Sequence, residues 1–154
     1  MREALGDVAD GSKLIEIAFG TGRFLRFYES RNFLVTAMEP SLDMIKTGFD
    51  YFEDKFAFSK NSLLLSSAMA ISLPHSNYDA MVSMRFVGCI LLMLDTRKCL
   101  LEMARLVKSN GVVVFDLNVR RRNFLDDSDI DEESLIGYQL SRQQVEKFLF
   151  TASL

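Results

Sequence analysis

A single histidine and two cysteines, with no Cys-x-x-Cys pair, leave too few soft ligands for a structural zinc site. Cys89 and Cys99 lie in apolar, helix-like sequence, and no secretory leader precedes them. They read as reduced, buried thiols of a cytoplasmic protein. Long apolar runs are missing too. The longest, residues 86–94, is too short to span a bilayer, so no membrane partner is expected. Positive charge is in short supply: the net charge of −3 provides no field to hold a polyanion, which argues against nucleic acid. There is no tryptophan, only two prolines, and no internal repeat.

What remains is ordinary globular material. Of the 154 residues, 49% are apolar and 25% charged, which fits one domain over 1–154 with a real core. Five short apolar runs, at 13–18, 33–38, 62–67, 78–84 and 111–117, read as strands. Most are continuous rather than alternating, as in parallel strands covered on both faces. Helical spacing appears between them, at 22–30, 41–52 and 96–108, the second capped by Ser41. The third is expected to stop at Ser109-Asn110-Gly111 in a left-handed cap. A last helix is expected from Ser141, where Ser141-Arg142-Gln143-Gln144 forms a capping box. Strands alternating with helices give an α/β fold with a doubly wound, mostly parallel sheet. Residues 120–137 begin with three arginines and continue with six acids, which reads as a solvated loop or a lid following the fifth strand.

The chemistry is concentrated where the first strand turns. Leu14-Ile15-Glu16-Ile17-Ala18-Phe19-Gly20-Thr21-Gly22 carries a strand into an acid, then into glycines that let backbone approach a ligand closely, then into a helix. Leu25 replaces the last glycine of a dinucleotide fingerprint, and no Gly-Lys-Ser/Thr follows to make a phosphate loop. Glu16 stands where a carboxylate can meet a cationic amino acid. The second strand ends at Met38-Glu39-Pro40, with Glu39 placed to accept both hydroxyls of a ribose.

These stretches resemble the class I S-adenosylmethionine-dependent methyltransferases, especially the small-molecule type. The similarity continues through Ser66-Ser67-Ala68, Leu73-Pro74, Tyr78-Asp79 and Glu102-Met103-Ala104-Arg105-Leu106-Val107-Lys108-Ser109-Asn110-Gly111. It implies a Rossmann-like fold with S-adenosylmethionine as cofactor. It also implies a cofactor site made of Glu16, Ala18, Phe19, Gly20 and Gly22, then Glu39 and Pro40, then Ser67, Ala68 and Met69, and finally Met84 and Arg85. Three positions depart from the family pattern. Ala18 replaces a glycine, Ser109-Asn110 replaces Pro-Gly, and Ser67 replaces the aspartate that accepts from the adenine amino group.

The resemblance further implies methyl transfer to a small-molecule acceptor. That reaction depends chiefly on positioning, so no catalytic residue is assigned. Two alternatives differ in class: a non-catalytic cofactor-binding scaffold, and a nicotinamide oxidoreductase, which Leu25 and Glu16 disfavour. The related sheet has the order 3-2-1-4-5-7-6. The chain is short for the last two strands, so the fifth is expected to offer an open edge for homodimer pairing.

Overall fold

The computed structural model describes residues 1–52, 61–68, 71–87, 93–120, 133–141 and 143–144. Its elements run β1 (Lys13–Ile17), α1 (Leu25–Ser30), β2 (Leu34–Met38), α2 (Leu42–Phe52), β3 (Ser62–Leu64), β4 (Tyr78–Ser83), α3 (Met93–Leu106), β5 (Val107–Arg120) and β6 (Glu133–Ser141). One six-stranded sheet has the order β3-β2-β1-β4-β5-β6. The first five strands pair in parallel, and β6 pairs antiparallel to β5. The doubly wound α/β expectation therefore holds.

Strand alternation sorts the buried side chains onto two faces. Ile15, Ile17, Met81, Val113 and Phe115 form one core with Cys99, Leu100 and Met103 of α3. Leu14, Val35, Ala37, Ala80, Val82 and Val114 form the other with Leu25 and Tyr28 of α1 and Ile45 of α2. The second core also takes in Leu5 and Val8 from the N-terminal turns. Arg31 ties those turns down, donating to the carbonyls of Leu5 and Val8 and pairing with Asp10. Burial pushes the Cys99 thiol up to about 12, so it stays protonated and inert. Cys89 lies outside the described residues.

Several boundaries differ from the sequence expectation, each for a local reason. β1 stops at Ile17 because Ala18 turns left-handed, with φ 60°. α1 begins at Leu25 rather than Gly22, because Gly22 and Leu25 donate within successive turns to Phe19 and Gly22 carbonyls. α2 is capped as expected: the Met44 N–H donates to Ser41 Oγ at 3.2 Å. α3 runs directly into β5, and neither Asn110 nor Gly111 is among the residues with positive φ, so the left-handed cap is corrected. Gly111 is needed for another reason. The β4–β5 register slips there, and a Cβ on Gly111 would stand 2.7 Å from the Asp79 carbonyl oxygen and 2.3 Å from a Val107 methyl.

The largest correction is at the C-terminal side. The fifth strand has no open edge along 112–120, because β6 pairs with it from Val112↔Ser141 to Arg120↔Glu133. That ladder satisfies the backbone groups on which the expected homodimer contact depended. Arg120 and residues 133–137 of the expected loop belong to these strands, while 121–132 lie outside the described residues. Ser141 is the last residue of β6, and Gln143 and Gln144 just beyond it are helical; the rest of the expected last helix lies outside the described residues.

Candidate cofactor site

The carboxyl ends of β1, β2, β3 and β4 lie side by side, which is where an open α/β sheet carries its ligand. Beyond β1 the chain folds back on β2: the Phe19 N–H donates to the Met38 carbonyl at 2.9 Å. Gly20 and Gly22 then take φ of 61° and 75°, which suit glycine. Ala18 takes the same left-handed region without being a glycine, at a cost of about 1–2 kcal/mol.

Glu39 joins the two strand ends. Its Oε2 accepts from the Gly20 N–H at 2.8 Å, and its Oε1 accepts from the Ser41 N–H at 2.9 Å. Each carboxylate oxygen has a further lone pair, so the group can still accept from ribose hydroxyls. Met44 arches over the same loop, its methyl 3.5 Å from where a Cβ on Gly20 would stand.

Glu16 sits on the α1 face, as Leu14 does, and is 3% exposed. Its Oε2 and the nearby Tyr28 hydroxyl both lack a hydrogen-bond partner of ordinary geometry. Burial pushes the Glu16 carboxyl up to about 8, against smaller opposing effects from Tyr28 and Arg23. The same burial, with Glu16 alongside, raises the Tyr28 hydroxyl well above its usual range.

The other expected residues fall into three groups. Pro40, Ser67 and Arg85 are exposed, and Ala18, Gly22 and Met84 are half-buried. Phe19 and Ala68 are buried in the two cores, so their side chains are taken up by packing. Met69 lies outside the described residues. Sequence reasoning missed Asp116, which follows the last β5 residue paired with β4. It is 3% exposed, and its Oδ1 accepts the Arg85 N–H at 2.5 Å, holding Arg85 at φ 58°. The available signal was an apolar run ending in an acid, as at Glu16 and Glu39.

A cradle of left-handed glycines, a bridging carboxylate and an unsatisfied buried acid fit an adenosyl amino-acid cofactor. Together with the sheet order they define a Rossmann-like cofactor-binding domain. A family described as methyltransferase domain matches residues 15–115, and the chain belongs to that family, whose cofactor is S-adenosylmethionine. No curated protein matches. Among solved structures, the PH0226 protein from Pyrococcus horikoshii is similar at 15% identity, covering 96% of this chain and 75% of that one, with TM-score 0.68. A candidate S-adenosyl-L-methionine-dependent methyltransferase from Methanococcus maripaludis is similar at 18% identity, 76% and 52% coverage, and TM-score 0.64. The [4+2]-cyclase SpnF is similar at 19% identity, 80% and 46% coverage, and TM-score 0.68. These likenesses show the shared fold. The chain spans about half the length of the first of the solved structures it matches. Among the described residues, no helix is long and apolar enough to cross a membrane.

Proposed function

We propose that this chain binds S-adenosylmethionine at the ends of β1 to β4 and transfers its methyl group to a small-molecule acceptor. The observation that carries the reading is the Glu39 carboxylate, which locks the Gly20 loop to the start of α2 while keeping lone pairs for a ribose. The match to methyltransferase domains supports the reaction type. When bound, the cofactor supplies an electrophilic methyl on a sulfonium centre.

The protein's part is to bind, orient and exclude water. Gly20 and Gly22 bring backbone close to the ligand, and Met44 covers the loop from outside. The buried Glu16 carboxyl precedes the glycine turn by four residues and has an unsatisfied oxygen, so a cationic α-amino group would find a charge partner there. Met84 and Arg85 follow β4 at the same mouth, where an acceptor would enter. Asp116 fixes the backbone that presents Arg85.

Titration calorimetry with S-adenosylmethionine, S-adenosylhomocysteine and NAD tests the cofactor, and a methyl-transfer assay tests the reaction. Micromolar binding of the first two without NAD is expected. Gly20→Val should lose that binding by more than about 100-fold while keeping its far-ultraviolet spectrum, because a β-branched residue at positive φ disturbs the cradle. Binding of NAD alone would overturn the reading. Since the fold also serves a cyclase, cofactor binding without methyl transfer to any nucleophilic acceptor would point to another chemistry on this scaffold.

A further inference from the structure

The connection between β3 and β4 is held by α3, on the same face of the sheet. β3 is only three residues long and pairs with β2 at the sheet edge, so beyond Leu64 the ladder no longer guides the chain. The guidance comes from α3. Arg105 donates through Nη1 to the Leu73 carbonyl at 2.9 Å and through Nη2 to the Ile71 carbonyl at 2.8 Å. The same guanidinium grips both carboxylate oxygens of Glu102, at 2.9 and 2.8 Å. Glu102 in turn accepts the Ile71 N–H at 3.3 Å. Further along, the Ser76 and Asn77 N–H groups donate to the Arg105 and Leu106 carbonyls, both at 2.9 Å. Ala68 and Ile71 are both buried in the core shared with Cys99, Leu100 and Met103 of α3.

We propose that Glu102 and Arg105 are positioning residues for the purine side of the cofactor site: by clamping Ile71 and Leu73 they fix where Ser67 and Ala68 stand. The inference rests on the cofactor reading above. The chemistry of the clamp requires arginine. One planar fork serves two carbonyls and a carboxylate at once, which an ammonium cannot reproduce in the same directions. The pair is about one-third and one-quarter exposed, and ion pairs that wet contribute little to global stability. The clamp therefore acts on the place of one segment more than on the fold as a whole. The Glu-x-x-Arg spacing suits this role, because residues three apart share one helix face.

Arg105→Met, Arg105→Lys and Glu102→Gln test it, with Lys108→Met as the control. Lys108 makes a comparable ion pair with Asp79, at 2.6 Å, which does not hold this connection. Amide exchange of the ligand-free chain is read over 64–73 and, for comparison, over 14–22. Calorimetry then reads S-adenosylhomocysteine and adenosine well below the melting temperature. Arg105→Met is expected to speed exchange over 64–73 while leaving 14–22 unchanged, and to weaken both ligands about tenfold. Arg105→Lys should fall between, and Lys108→Met should match the wild type in both readouts. Wild-type exchange over 64–73 in Arg105→Met overturns the clamp, and faster exchange with wild-type affinity overturns its role in positioning the cofactor site. A wild-type chain that binds neither ligand overturns the cofactor reading and this inference with it. A wild type that binds, matched by Arg105→Met, overturns the inference alone.

Discussion

The ends of β1 and β2 each carry a buried glutamate, and the two are treated oppositely. Glu39 is 6% exposed and has a backbone N–H on each oxygen. Glu16 is 3% exposed and has an oxygen with no partner. The first is arranged before any ligand arrives, since amides already compensate its lost hydration. The second has exchanged hydration for nothing comparable, so it keeps its proton near neutrality. One end is finished by the fold itself, and the other is left for a proton or a cation to finish.

The sharpest way to break this contrast is pH. With an ordinary carboxyl value of 4.5 and a folded value of about 8, the folded chain keeps a proton between those limits that the unfolded chain has lost. Stability therefore falls as pH rises through that window and levels off above it. The total is on the order of 5 kcal/mol, from about 1.4 kcal/mol per unit. Urea melts at pH 5, 7 and 9 read this directly. Glu16→Gln should remove most of the slope, and an unchanged slope would place the titrating group elsewhere.

Glu39→Ala comes next. It strands the Gly20 and Ser41 N–H groups and removes the ribose acceptor, so both stability and S-adenosylhomocysteine affinity should fall by about 1–3 kcal/mol. If affinity holds in a folded variant, the two strand ends are alike after all and neither reads the ribose. Ser67→Asp is expected to tighten the same ligand by about 1 kcal/mol, because a carboxylate accepts more strongly than a hydroxyl. Flat calorimetry there would move the adenine away from Ser67. The smallest effect is expected from Ala18→Gly. Relief of the left-handed backbone outweighs the added freedom of the unfolded chain by about 0.5–1 kcal/mol, seen as a small rise in melting temperature.

The contrast also marks how far sequence reasoning reached. Both glutamates were legible from their place after apolar runs, as were five strands and the glycine turn, because these depend on neighbours in the chain. The state of Glu16 was not legible. It depends on Tyr28 and the α1 face, which only folding brings over it. Phe19 stands among the residues that the resemblance assigns to the cofactor, yet its side chain is buried in the core with Leu14 and Leu25. β6 was missed because the acids before it and the capping box after it dominate the local pattern. Yet Ile136, Tyr138 and Leu140 alternate with Gly137, Gln139 and Ser141, a period-two signal for a strand. Gly111 was rightly singled out with the wrong role, since the Asp79 carbonyl that crowds it comes from a distant strand.

The sheet order has a consequence for how the chain reaches this structure. β1 can pair with β2 across a short crossover, Leu14 meeting Val35. Its other neighbour is β4, where Leu14 meets Ala80, and bringing those positions together closes a far longer loop. β5 and β6, by contrast, lie antiparallel and close in sequence, and their ladder can zip from the Arg120↔Glu133 pair. Loop-closure entropy predicts that the β1–β4 junction is the slow step of refolding. Trimming Met81 or Val82 should then slow refolding, whereas loosening β6 should mainly hasten unfolding. On that order the strand that supplies Glu16 is flanked on both sides only at the rate-limiting moment, and its carboxyl should give up water as the barrier is crossed.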